Sequence, residues 1–150
     1  MKELFTDAPN ARMVSEELLC CGQPAVSALE AAARNGCRTV INLRPEGELG
    51  DFDEAAAVAS LGMRYVHIPV AGPQDLTTEN ARRLHEALDA PDSHPVMLHC
   101  GSGNRVGALL AMRARHLDGQ SKDDALQTGL SAGLDPNTPL YGATRDRLSR

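Results

Sequence analysis

The sequence predicts an α/β fold, a mostly parallel sheet flanked by helices, and three observations carry that prediction. Short apolar or β-branched runs alternate with alanine-rich amphipathic runs along the chain. Gly36 and Gly62 stand where two of the helical runs should stop. A loop of small residues, Gly101-Ser102-Gly103, joins a short apolar run to a long amphipathic one. Strand and helix in alternation make parallel crossovers the economical connection.

Leu18–Gly22 reads as the first strand, ended by Gln23-Pro24. Ala25–Asn35 reads as a helix with Val26, Leu29, Ala32 and Ala33 on one face. Cys37–Leu43 ("CRTVINL") is a β-branched strand, and "RPEGELGD" after it is a turn-rich loop. A helix at Asp53–Leu61 follows, then a strand at Arg64–Val70 ("RYVHIPV"). "AGPQDL" opens a helix over about Thr77–Leu88, with Thr77 as its cap and Asn80 three residues on. After the connector "DAPDSHP", Val96–His99 is a strand too apolar to face water. Val106, Leu109, Leu110, Ala114 and Leu117 then form one apolar stripe on a helix that begins near Asn104. Ser121 and Asp124 resemble a capping box for a helix running toward Leu130, and the tail adds a short final helix.

A chain of 150 residues is read as a single domain over 1–150, large enough to bury a core without metal or disulfide. Its net charge of −5 disfavours nucleic acid and membrane surfaces as partners, yet allows a locally positive site for a small anion. The start of the chain has no apolar leader core, and no stretch reaches the length of a membrane span, so a cytoplasmic location is expected. Cys20, Cys21, Cys37 and Cys100 form no CxxC pair, and three of them read as small buried hydrophobes. His67, His85, His94 and His116 show no metal-ligand spacing, and the glycine loop lacks the Lys-Ser/Thr of a nucleotide loop. No metal or cofactor is expected.

"HCGSGNRVG" at 99–107 concentrates the chemistry, because in open α/β sheets ligands bind beyond the carboxyl ends of strands. Gly101, Ser102, Gly103 and Asn104 let backbone N–H groups converge on one point, and the following helix adds its unpaired N–H groups and positive dipole end. Arg105 supplies a planar fork that matches two oxygens of a tetrahedral anion. A thiol at Cys100 in that field should ionise several units below the ~8.5 of a free cysteine. The features that hold an anion would thus also create a nucleophile.

These residues also carry a resemblance. "HCGSGNR" after an apolar strand resembles the phosphate loop of protein tyrosine and dual-specificity phosphatases. In order, "CCGQP", "TVINLRPEGE", "YVHIPV", "HCGSGNRVGALLA" and "SAGL" resemble the beta-lactamase hydrolase-like, phosphatase-like family, most strongly over 18–134. The resemblance implies a protein tyrosine phosphatase-like, dual-specificity-like fold. It makes Cys100 the nucleophile, Arg105 the oxyanion-binding residue and Gly101 through Asn104 the amide cradle. It gives His99 the role of orienting the loop and tuning the thiol. Asp75, in the loop after the Arg64–Val70 strand, is the candidate general acid, with a plain helix-start residue as the alternative.

Two departures keep a second chemistry open. Four residues separate Cys100 from Arg105, where the phosphatase loop has five, and this spacing resembles the persulfide-bearing loop of rhodaneses. Val106 stands where phosphatases often carry Ser or Thr. The expected function is a cysteine-dependent phosphatase-like hydrolase with a phosphocysteine intermediate. The alternatives are a rhodanese-like sulfurtransferase carrying a Cys100 persulfide, or an anion-binding module without turnover. The expected partner is accordingly a phosphate ester, a sulfane-sulfur donor or a phosphoprotein.

Overall fold

Leu18–Cys21, Thr39–Asn42 and Val96–His99 are buried at every position. Strands covered on both faces belong at the centre of a parallel sheet. A computed structural model describes residues 8–150 and sets these segments as β2, β3 and β5, in a five-stranded sheet of order β1-β2-β5-β3-β4. The outer strands are β1 (Arg12–Ser15) and β4 (Arg64–His67). Only β1 runs antiparallel, to β2; every other pairing is parallel.

Period-two alternation divides the sheet's side chains between two cores. Leu18, Cys20, Ile41, Val96 and Leu98 face one side, where α3 (Thr78–Asp89), α4 (Asn104–His116), α5 (Lys122–Ala132) and α6 (Pro139–Leu148) cover them. Leu19, Cys21, Val40 and Met97 face the other, against α1 (Val26–Arg34) and α2 (Glu54–Ser60). Cys100 continues the parity of Val96 and Leu98 and is fully buried on the four-helix side.

The sequence-based boundaries hold for the long elements and shift for the strands. The expected capping bonds form: Asn80 N–H donates to Thr77 Oγ1 at 3.1 Å, and Asp124 N–H to Ser121 Oγ at 3.1 Å. The Arg64–Val70 strand ends at His67, although Ile68 N–H still donates to the Asn42 carbonyl at the end of β3 and Val70 N–H to the Leu43 carbonyl just past it. The β1 strand was not expected, because its exposed, polar edge lacks an apolar period. Helix α1 buries Ala28, Leu29 and Ala32, whereas Val26 is 46% exposed; alanine-rich sequence leaves the helix phase poorly marked. Helix α4 is buried on nearly all sides from Val106 to Met112, because α3, α5 and α6 all pack on it. The final helix spans 10 residues and is not short. Among the described residues no helix is long and apolar enough to cross a membrane.

Register sets up the site. Cys21, His99, Asn42 and His67 pair in one row across the sheet. The loops that leave β2, β5, β3 and β4 therefore emerge together at the carboxyl edge, the position where an α/β sheet presents its ligands.

Candidate active site

The Cys100–Arg105 loop is folded by its own backbone and by its neighbours. Cys100 N–H donates to the Cys21 carbonyl at 3.3 Å, and Gln23 N–H donates to the Gly101 carbonyl at 3.0 Å. Asn10 Nδ2 holds the Ser102 carbonyl at 2.8 Å. Gly103 turns at φ 98°, a left-handed conformation that suits glycine, and aims its N–H at Cys100 Sγ, 3.0 Å away. Asn104 opens α4, and its side chain points away from the thiol. Its Oδ1 accepts from Asp135 N–H at 2.8 Å and its Nδ2 donates to Thr138 Oγ1 at 3.2 Å. Within the expected cradle, Asn104 thus contributes backbone while its amide ties the loop to the α5–α6 connection. The Ser102 residue is exposed.

Arg105 is held by a residue that sequence reasoning did not select. Its Nη1 and Nη2 donate to the two Glu48 carboxylate oxygens at 2.9 and 2.8 Å, and Nη1 also donates to the Val70 carbonyl at 2.8 Å. Three of the five guanidinium hydrogens are thereby engaged, which leaves Nε and one Nη2 hydrogen for an anion. Glu48 and the nearby Cys100 hold the Arg105 guanidinium above its usual value against the cost of burial. The Arg105 hydrogen bond holds the Glu48 carboxyl below its usual value, with Arg44 adding to the effect. The Glu46 carbonyl accepts from Leu49 N–H at 3.1 Å, but its side chain has no hydrogen-bond or ion-pair partner among the described residues.

Behind the loop runs a buried polar chain. Arg44 donates to the Glu48 carbonyl, and its Nη1 donates to Gln23 Oε1 at 2.8 Å. Gln23 Nε2 donates to Glu54 Oε1 at 2.7 Å, and Glu54 Oε2 lies 2.6 Å from His99 Nε2. His99 Nδ1 lies 3.3 Å from the Cys100 carbonyl. The sequence places Glu54 only within the helix expected at Asp53–Leu61. No periodic or motif signal separates a first-turn glutamate that faces water from one that enters a core.

Burial pushes the Glu54 carboxyl up, but the His99 hydrogen bond and charge, then Gln23 and Arg44, outweigh it and hold the group below its ordinary 4.5. A depressed carboxyl adds stability above its unfolded value and loses it as pH falls through the folded one. Thermal melting should therefore show the advantage of wild type over Glu54→Gln shrinking as pH drops below 4.5.

The other thiols contrast with Cys100 in their surroundings. Burial pushes Cys20 up to about 12 and Cys37 up to about 11, and raises Cys21 as well. In all three the cost of burial outweighs any favourable neighbour, Arg12 beside Cys20 included, and they are the small core residues expected. Asp75 ends the short helical turn Pro73–Asp75, and its Oδ2 accepts from Ala71 N–H at 2.8 Å. The Val70 carbonyl that precedes this turn is the one bonded to Arg105. A cavity of about 440 Å³ borders the loop's outer wall at Ser102 and Asn104, with Arg12 and Thr138 on its far sides.

The chain has relatives in sequence and counterparts in fold. A beta-lactamase hydrolase-like protein from Agrobacterium fabrum is 32% identical over 137 residues, covering 88% of this chain. The chain spans only 30% of that relative's length. Among solved structures, the core catalytic domain of a PP-IP phosphatase from S. cerevisiae, in complex with citrate, superposes with a TM-score of 0.73 at 16% identity. That match covers 95% of this chain and 85% of the other. Tk-PTP in its active form superposes with a TM-score of 0.69 at 21% identity, covering 93% of this chain and 96% of the other. The fold is that of the protein tyrosine phosphatase-like, dual-specificity-like proteins, as the thiol loop implied. The family model for the phosphatase-like domain of beta-lactamase hydrolase-like proteins matches residues 10–116, and the chain belongs to that family.

Proposed function

We propose that this chain hydrolyses phosphate monoesters, with the Cys100 thiolate as nucleophile and a phosphocysteine as intermediate. The observation that carries this reading is one loop that turns the Gly103 N–H to Cys100 Sγ at 3.0 Å and ends in Arg105, whose fork Glu48 holds with two donors still free. An anionic oxygen bound by those donors and by the loop amides sets its phosphorus against the sulfur. The Sγ–P bond forms as the ester P–O bond breaks. The leaving oxygen takes its proton from Asp75. Water then attacks phosphorus and gives a proton back to Asp75, and the thiolate departs as inorganic phosphate is released. Asp75 is supported in this role by the tether at Val70, which joins its turn to Arg105. The citrate bound by the yeast domain belongs to that protein, and agrees with a small polyanion as ligand here.

The four-residue loop favours sulfur transfer as a second reading. Its shorter ring of amides suits a single sulfur atom better than a phosphoryl group. In that chemistry the thiolate attacks the outer sulfur of thiosulfate, sulfite leaves, and cyanide removes the sulfur from the Cys100 persulfide as thiocyanate.

One preparation assayed in parallel decides between the two. On 4-nitrophenyl phosphate under reducing conditions, vanadate-sensitive release of phosphate is expected, with Asp75→Asn lowering kcat by ~10²-fold or more. Thiocyanate from thiosulfate and cyanide, with no phosphate release, would overturn the first reading in favour of the second. Turnover of neither, with phosphate still bound by Cys100→Ala, would leave an anion-binding module.

A further inference from the structure

With Glu54 ionised, as its depressed carboxyl sets it, the hydrogen-bond sense along the buried chain admits a single assignment. Arg44 has only donors, so the Gln23 oxygen must face its Nη1. That turns the Gln23 amide nitrogen toward Glu54 Oε1 at 2.7 Å and the Pro24 carbonyl at 3.1 Å, and Glu54 Oε1 must accept. The other Glu54 oxygen faces His99 Nε2 at 2.6 Å. The second ring nitrogen, Nδ1, faces the Cys100 carbonyl, which also only accepts. A neutral imidazole has one donor and one acceptor nitrogen, and here both meet acceptors. Only a ring with hydrogen on both nitrogens satisfies them. The side chains are 0% and 3% exposed, and a cation in so dry a place needs a partner of opposite charge.

We propose that Glu54 is a positioning residue for catalysis: it holds His99 as an imidazolium directly behind Cys100, and that buried charge favours the thiolate. Glu54 touches no reacting atom and acts through His99. The same carboxylate also anchors Gln23, whose backbone N–H holds the Gly101 carbonyl, so both sides of the nucleophile are fixed by one helix residue. The other charged or titratable groups facing this pair are Cys21 from β2, Arg44 beyond β3 and Tyr65 from β4, with Asp53 beside Glu54 in the chain. This inference rests on Cys100 reacting as a thiolate.

Two measurements on the full chain test it. Nitrogen-15 spectra of the wild-type His99 ring at pH 7 should show hydrogen on both nitrogens. Iodoacetamide alkylation of Cys100, followed by mass spectrometry across pH, should shift upward by about one unit in Glu54→Gln, a roughly tenfold slower reaction at pH 6. Glu54→Asp should recover part of the rate. His99→Asn should match Glu54→Gln, and the double variant should add nothing further. A wild-type ring with a single hydrogen would overturn the proposal without any variant. So would a Glu54→Gln alkylation profile that coincides with wild type. Neither readout involves turnover, so failure to hydrolyse phosphate esters would reject the proposed function and leave this role standing.

Discussion

Replacing Cys100 by serine is expected to lower kcat/KM by on the order of 10⁴-fold while leaving the fold and anion binding in place. Serine is close to isosteric at this fully buried position, and its hydroxyl can still accept the Gly103 N–H that now meets Sγ at 3.0 Å. What is lost is the nucleophile. An alcohol has no means of ionising here, since no neutral general base touches the Cys100 side chain among the described residues. The Arg105–Glu48 pair is untouched, so phosphate should bind the variant with an affinity near that of wild type in a calorimetric titration. Retention of turnover within tenfold would remove Cys100 from the mechanism.

Gly107→Ala should destabilise the protein by ~3 kcal/mol or more, a fall in Tm of roughly 6–12 °C. Helices α4 and α5 cross at this residue with almost no gap. A methyl group added to Gly107 would run into the backbone nitrogen of Leu134 and stand 2.5 Å from the Gly129 carbonyl. At Gly129 the added carbon would meet the Gly107 carbonyl at 2.8 Å. Backbone atoms cannot swing aside as a side-chain tip can, so α5 and the 133–138 segment must move away from α4. That segment is tied to the active loop through Asn104, so the loss should extend to activity. A melting curve for Gly107→Ala within 2 °C of wild type would show that the crossing yields more easily than its geometry implies.

Much of this arrangement is legible along the chain. The buried strands announce themselves as unbroken apolar or β-branched runs, and Thr77 and Ser121 announce helix starts through capping chemistry. The Cys100–Arg105 loop is recognisable because all of its parts are contiguous, and a local spacing survives in the sequence. The edge strand β1 carries no such period, since only one side of it is paired and little of it is buried.

Gln23, Arg44, Glu48 and Glu54 belong to the site for a different reason. They lie 77, 56, 52 and 46 positions before Cys100, on segments whose local pattern is that of ordinary turns and a helix start. What unites them is the parallel register that sets Cys21, Asn42 and His99 in one row. The sequence by itself determined the sheet-and-helix class, the thiol loop and the residue types able to do its chemistry, because each of these is written within a few neighbouring positions. Only the tertiary structure decided which carboxylates serve the arginine and the histidine. Hydrogen bonds have a reach of about 3 Å, and nothing short of the folded sheet brings groups so distant along the chain within it.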